Sequence, residues 1–109
     1  MKFTATKLPG VRIIDIERAS DERGFFARSW DDLQCASHGI NMTAVQCSIS
    51  FNLKTGTLRG MHYQEEPHAE QKIVRCTRGS LYDIVLDLRP DSPTFKQWIS
   101  FELSAENHR

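Results

Sequence analysis

The stretch Val45-Gln46-Cys47-Ser48-Ile49-Ser50-Phe51-Asn52 alternates apolar and polar residues without interruption. Successive side chains of an extended chain point to opposite faces, so the apolar members would share one face and the polar members the other. We therefore predict a strand over residues 45–52 with one buried face. Gln46 and Ser48 would lie on its polar face.

Further segments with strand character lie on both sides of this stretch. They are residues 11–17, 25–30, 57–63, 72–77, 80–88 and 95–103. Pro9-Gly10 forms a turn before the first of them, Lys54-Thr55-Gly56 separates two of them, and Arg78-Gly79 predicts a hairpin between 72–77 and 80–88. Many short strands with frequent turns predict an all-β sandwich or barrel rather than alternating strands and helices.

Only residues 31–38, DDLQCASH, favour a helix. Asp31 and Asp32 supply the acidic residues typical of a first helical turn, and Gly39 stands where a glycine commonly ends a helix. The predicted architecture is a single all-β domain over residues 1–109 with one short helix near residues 31–38.

The composition excludes several classes of protein. Fourteen Lys and Arg balance fourteen Asp and Glu, whereas a nucleic-acid-binding protein normally carries a basic excess. Apolar runs of about four residues are too short for a membrane span or a signal peptide. Cys35, Cys47 and Cys76 are odd in number and widely spaced, which favours reduced thiols in a cytoplasmic protein over a disulfide scaffold or a zinc ribbon.

Chemically reactive side chains are densest over residues 56–72, GTLRGMHYQEEPHAEQK. If residues 57–63 form a strand, Arg59 and His62 share a pocket only where Gly60 marks a bulge or a bend. A neutral imidazole beside a cation suits abstraction of a proton alpha to a ketone. His62 would be the base, and Lys72 or Arg59 would stabilise the enolate oxygen.

Structural roles are alternatives for the same residues. His62 can be a histidine satisfied by a backbone carbonyl, and Lys72 can be a solvated strand residue. Arg59 can form an ion pair with Glu65 or Glu66. Spacing alone leaves these alternatives open.

Metal binding is the less favoured interpretation. Segment 56–79 resembles the metal-binding pattern of cupins, G-x5-H-x-H followed by E-x6-G, which implies a histidine at 64 and a glutamate at 72, where this chain has Gln64 and Lys72. An ammonium group at position 72 would repel a cation. His68 and Glu70 could form a makeshift site, but without a ligand at strand spacing to His62. We therefore predict no metal and no other cofactor.

Longer motifs over the whole chain resemble the dTDP-4-dehydrorhamnose 3,5-epimerase family of cupins. The string at 56–64, GTLRGMHYQ, is similar to that family's G-x-L-R-G-[LM]-H-[YF]-Q signature. Other matching segments follow in the family's order and spacing: DERGFF at 21–26, KIVR at 72–75, DIVLDLR at 83–89, SPTF at 92–95, Trp98 and ELSAEN at 102–107.

This resemblance implies a metal-free β-jelly-roll dimer that acts on dTDP-4-dehydro-6-deoxy-D-glucose. Family members invert C3 and C5, both alpha to the C4 ketone, in dTDP-L-rhamnose synthesis. By position, His62 would be the catalytic base. Lys72 would bind the substrate and stabilise the enolate oxygen.

The resemblance also implies a set of binding residues. Arg23 and Arg59 would contact the nucleotide diphosphate, because guanidinium groups bind phosphate oxygens in bidentate fashion. Gln46 and Ser48 would bind the substrate, and Phe26 would line the thymine end. Asp83 could support His62 or Lys72 from a neighbouring strand.

Two departures from the family pattern bear on function. Arg28 stands where many members have a glutamate, so a donor replaces an acceptor. The family's proton-donating tyrosine and base-orienting aspartate have no counterpart up to residue 109, and residues 104–109 resemble a connector between strands. These observations predict a shortened jelly-roll sandwich. The alternative function is a non-catalytic sugar-nucleotide-binding or assembly module.

Overall fold

The computed structural model describes residues 1–109 and is built from short antiparallel strands with one short helix. The elements are β1 (Lys2–Ala5), β2 (Arg12–Asp15), β3 (Arg18–Asp21), β4 (Gly24–Ala27), α1 (Asp32–Ser37), β5 (Ser80–Leu86) and β6 (Trp98–Ser104). No helix has the length and apolar character needed to cross a membrane. The chain divides into two compact units, residues 1–41 with 74–109 and residues 42–73.

The first unit begins with two small antiparallel hairpins. β1 pairs with β2 in a register that sets Lys2 opposite Asp15. β3 pairs with β4, and the turn between them closes at Gly24, whose φ of +133° suits a residue without a side chain. The strands predicted at 11–17 and 25–30 are present as β2 and β4 but are shorter. β1 and β3 were not predicted from the sequence.

The longest ladder joins β5 to β6 over seven residue pairs, from Ser80 opposite Ser104 to Leu86 opposite Trp98. The hairpin predicted between 72–77 and 80–88 is therefore wrong, because β5 pairs with β6 instead. No strand forms over 72–77. In this segment the Cys76 N–H donates a backbone hydrogen bond to the Arg109 carbonyl at 2.8 Å. The strand predicted at 95–103 is present as β6.

A buried carboxylate organises the connection between β5 and β6. Asp87 is 5% exposed, and its oxygens accept hydrogen bonds from the Arg89 guanidinium at 2.8 Å, the Ser92 hydroxyl at 2.6 Å and the Thr94 hydroxyl at 2.7 Å. These bonds, led by those from Arg89, hold the pKa of Asp87 far below its usual range. Arg89 also donates to the Pro9 carbonyl at 2.8 Å, which ties this connection to the turn before β2.

Helix α1 confirms the prediction at 31–38. Asp31 is its N-cap, and the Asp31 side chain accepts a hydrogen bond from the Gln34 N–H at 3.0 Å. Gly39 follows the helix with a φ of +77° and donates its N–H to the Ala36 carbonyl, as a glycine beyond a helix C-terminus does. The helix buries Cys35.

The apolar core of the chain is small. Its buried hydrophobic side chains are Leu8, Cys35, Cys76 and Leu103, of which Leu8 and Cys35 are fully buried. Many large apolar side chains are instead exposed, among them Phe26, Leu33 and Trp98.

The second unit, residues 42–73, contains no helix or strand. The strands predicted at 45–52 and 57–63 are therefore absent. Val45 and Ile49, which were expected on a buried strand face, are 85% and 98% exposed. A strand requires ladder partners for its backbone, and none pairs with these residues in the chain. The fold is accordingly strand-rich, with its ladders confined to the first unit.

Candidate functional site

In the second unit, Arg59 is held by two neutral groups. Its Nε donates to the Asn52 side-chain oxygen at 2.6 Å, and a terminal nitrogen donates to the Phe51 carbonyl at 3.1 Å. The ion pair with Glu65 or Glu66 that sequence spacing left open does not form. The full charge of the guanidinium therefore stays available to an anion.

His62 lies two residues after Gly60, whose backbone conformation is unusual. Gly60 has a φ of +101°, in the left-handed region that disfavours residues with a side chain. A Cβ at Gly60 would lie 3.5 Å from both the backbone nitrogen and Nδ1 of His62. A bulge or bend at Gly60 was the condition for Arg59 and His62 to share a pocket on a strand, and no strand forms over residues 57–63. The His62 side chain is exposed and makes no hydrogen bond within the chain.

Lys72 forms an ion pair with a carboxylate two residues earlier. Its Nζ lies 2.6 Å from Oε1 of Glu70, and the two side chains are 47% and 38% exposed. Such a partly exposed pair is screened by water and easily exchanged for another partner. The positive charge of Lys72 is thus compensated by Glu70.

Arg23 has the same arrangement in the first unit. Its guanidinium donates through two nitrogens to the Asp21 carboxylate, at 3.2 and 2.5 Å, and its backbone N–H donates to the other Asp21 oxygen at 2.9 Å. The Arg23 side chain bonds lower the pKa of Asp21, and the same pairing raises the pKa of Arg23. The charge of Arg23 is therefore compensated by Asp21.

The remaining predicted site residues make few contacts within the chain. Phe26 is 77% exposed on β4, and Gln46 and Ser48 are exposed in the second unit. Asp83 lies on β5 opposite Phe101 and is partly buried. The second unit therefore contains Gln46, Ser48, Arg59, His62 and Lys72, and the first contains Arg23, Phe26 and Asp83.

Sequence reasoning missed the polar partners of these cations. Asp21 precedes Arg23 by two residues, and Glu70 precedes Lys72 by two. An acidic residue two positions before a basic one could therefore have predicted both ion pairs. Asn52, the partner of Arg59, lies seven residues away and carries no comparable signal. No group of three or more His, Cys, Asp and Glu side chains is arranged to hold a metal ion.

Comparison with solved structures places the strand-rich fold in the cupin class of all-β proteins. A family model described as dTDP-4-dehydrorhamnose 3,5-epimerase matches residues 5–109. The chain therefore belongs to the dTDP-4-dehydrorhamnose 3,5-epimerase family, whose members are isomerases.

Curated relatives bear the same name. A dTDP-4-dehydrorhamnose 3,5-epimerase of Shigella flexneri is 42% identical over 100% of this chain and 60% of its own length. That of Sinorhizobium fredii is 38% identical over 98% of this chain and 55% of its own length. The chain thus spans 55–60% of the length of these relatives.

Solved structures extend the similarity to the backbone. A dTDP-4-dehydrorhamnose 3,5-epimerase from Bacillus anthracis, with TDP and PPi bound, has a TM-score of 0.94 and 37% identity over 98% of this chain and 61% of its own. A dTDP-6-deoxy-D-glucose-3,5-epimerase from Legionella pneumophila, in complex with dTDP-4-keto-L-rhamnose, has a TM-score of 0.77 and 31% identity over 98% and 56%.

Proposed function

We propose that this chain carries the base-bearing part of a site that inverts C3 and C5 of dTDP-4-dehydro-6-deoxy-D-glucose, giving dTDP-4-dehydro-L-rhamnose. The family match over residues 5–109, with a TM-score of 0.94 to a relative that holds TDP, is the observation that carries the proposal. The activity, substrate and partners of the chain are inferred on this basis.

His62 is the proposed base. The hydrogens on C3 and C5 are acidic because each carbanion delocalises onto the C4 ketone oxygen. A neutral imidazole removes the proton, the C–H electron pair forms the enolate double bond, and the carbonyl electrons move to oxygen. The exposed His62 side chain, which makes no hydrogen bond within the chain, supports this role.

Lys72 and the arginines supply the proposed positive charge. The Lys72 ammonium donates a hydrogen bond to the C4 oxygen, and this bond strengthens as the enolate develops. Arg59 and Arg23 bind the diphosphate oxygens. Gln46, Ser48 and Phe26 complete the binding surface, and Asp83 supports the base or the lysine from β5.

Hydrogen exchange with solvent tests the base directly. In deuterium oxide, the chain is expected to place deuterium at C3 and C5 of the 4-keto sugar nucleotide, as followed by NMR. Exchange needs only removal and return of the proton, whereas inversion also needs an acid on the opposite face. His62→Asn is expected to slow exchange by about 10²- to 10⁴-fold, the usual contribution of a general base.

His68→Asn is the matched control, because it removes an imidazole from the same unit without touching the proposed base. The control is expected to exchange at the wild-type rate. Retention of exchange in His62→Asn would contradict the role of His62. Tight binding of dTDP by calorimetry, without any exchange, would support the alternative of a non-catalytic sugar-nucleotide-binding module.

The reaction is proposed to need no metal, because the enolate charge meets the Lys72 ammonium. A chelator should leave exchange unchanged, and loss of exchange that zinc restores would contradict this. The three cysteines are free, and we place the protein in the cytoplasm with its sugar-nucleotide substrate.

A homodimer is proposed as the assembled form. Large apolar side chains such as Ile49, Leu53 and Leu58, each more than 90% exposed, favour burial against another chain. Sedimentation velocity at micromolar concentration should give a dimer, and a stable monomer would contradict the proposal.

A further inference from the structure

Of the three cationic side chains in the second unit, Lys54, Arg59 and Lys72, one lies against a carboxylate and another against neutral groups. Lys72 Nζ lies 2.6 Å from Glu70 Oε1, whereas Arg59 is held by the Asn52 side chain and the Phe51 carbonyl. Lys72 is therefore the cation of this unit whose charge a carboxylate neutralises. Any anionic or carbonyl oxygen that takes Lys72 as a donor has to compete with Glu70.

The Glu70–Lys72 pair has the properties of an exchangeable contact. An ammonium group has three donors, and the carboxylate of Glu70 is a stronger acceptor than a ketone oxygen. The side chains are 47% and 38% exposed, so water screens their attraction. The two residues are separated by Gln71 alone, and the pair can therefore form and break without rearrangement of distant elements.

We propose that Glu70 is a positioning residue, which holds Lys72 by its ammonium group until the substrate ketone oxygen takes its place. This inference rests on the proposed function, because it assumes that Lys72 donates to that oxygen. The exchange of partners occurs when substrate binds, before any proton is removed. The free energy needed to break the Glu70–Lys72 pair therefore weakens substrate binding and leaves the rate of the chemical step unchanged.

Glu70→Gln tests the proposal through a split between KM and kcat. The glutamine keeps the shape of the side chain and removes its charge, so Lys72 is free before substrate arrives. KM for the 4-keto sugar nucleotide in the exchange assay is expected to fall about twofold to fivefold, the range of an exposed ion pair, with kcat unchanged. A purely structural role for Glu70 would instead lower kcat through loss of folded protein.

Glu66→Gln is the matched control. It removes the same charge from the same segment, and Glu66 makes no ion pair with Lys72. Its KM is expected to remain that of the wild type. Equal KM values in Glu70→Gln, Glu66→Gln and the wild type would overturn the role of Glu70, and so would a fall of the same size in both variants.

A zero-length cross-link supplies a readout that does not depend on activity. A water-soluble carbodiimide joins a carboxylate and an amine in contact, so the wild-type chain is expected to give a peptide that has lost one water between Glu70 and Lys72. Saturating 4-keto sugar nucleotide should suppress this product. Glu70→Gln should not form it, and Glu66→Gln should form it normally.

The outcomes separate the two proposals. No cross-link at Glu70 in the free wild-type chain overturns the role of Glu70 whatever the activity. A cross-link that persists when calorimetry shows the sugar nucleotide bound also overturns it. A cross-link in the free chain with no binding of sugar nucleotide overturns the proposed function instead, and the release of Lys72 to substrate falls with it.

Discussion

Asp87 accepts more hydrogen bonds than any other side chain of the protein. Arg89 donates to it through its backbone and guanidinium nitrogens, and Ser92 and Thr94 donate through their hydroxyls. A buried carboxylate that is satisfied by several donors stabilises the fold, but loss of its charge leaves those donors poorly matched. The connection between β5 and β6 therefore depends on one ionised residue.

Asp87→Asn is expected to lower Tm, because Arg89 donates to both carboxylate oxygens and the amide replaces one of these acceptors with a donor. Asp91→Asn is the control, as an exposed aspartate in the same connection. Thermal unfolding followed by circular dichroism at neutral pH should show a fall in Tm several times that of the control. Equal Tm values would show that the Asp87 bonds contribute nothing net.

Acid should weaken the same bonds. The folded pKa of Asp87 lies below the unfolded value of about 3.9, so its contribution to stability is full above that value and is lost as the pH falls towards the folded pKa. The free energy of unfolding should therefore decrease as the pH drops below about 4. Urea titrations of Asp87→Asn should show a shallower decrease, and an equal slope in both proteins would contradict the assignment.

At the scale of elements, helix α1 depends on its N-cap residue, Asp31, through two contacts. Asp31 caps the helix through the Gln34 N–H at 3.0 Å and forms an ion pair with Arg28 at 2.6 Å. The capping bond is the larger cause of the lowered pKa of Asp31, and the Arg28 bond comes next. Arg28 stands where many family members have a glutamate, and it thus forms an ion pair with the N-cap residue of α1.

Three variants separate the two contacts. Asp31→Asn keeps a capping oxygen and loses the ion pair, Arg28→Ala loses only the ion pair, and Asp31→Ala loses both. Asp31→Ala is expected to have the lowest Tm, with the other two close to each other and nearer the wild type. A Tm for Asp31→Asn as low as that of Asp31→Ala would show that the ion pair matters more than the cap.

Local signals in the sequence predicted where helices and strands lie better than they predicted which strands pair. The acidic first turn and Gly39 located α1, and β-branched residues located β2, since both depend on nearby residues. The pairing of β5 with β6 was missed because Arg78-Gly79 resembles a hairpin turn whichever segments it joins. The strand predicted at 45–52 has the correct pattern but no ladder partner, and a pattern alone carries no information on partners.

The candidate site shows the same division. A bulge or bend at Gly60 was named only as the condition for Arg59 and His62 to share a pocket, because glycine in a strand pattern is a local signal. The partner of Arg59 was not predicted, because Asn52 lies seven residues away across a turn. The roles of His62, Lys72 and the other site residues remain predictions drawn from family resemblance.

At the scale of the whole molecule, stability depends on very few buried side chains. Leu8 is fully buried, whereas Leu53 is 91% exposed. Leu8→Ala is expected to lower the free energy of unfolding by about 2–5 kcal/mol, as removal of a buried leucine side chain does. Leu53→Ala should change it by less than about 0.5 kcal/mol. Urea denaturation of both variants checks this, and equal losses would contradict the small core.

The alternating stretch at 45–52 also bears on how the protein behaves at high concentration. Its backbone lacks ladder partners, and Val45, Ile49 and Phe51 are 85%, 98% and 65% exposed. A short β-prone segment without proline or charge is the kind that stacks with its own copies into cross-β fibrils. Fibril formation by this chain is therefore expected to start at residues 45–52, and a charged residue in place of Ile49 should delay it.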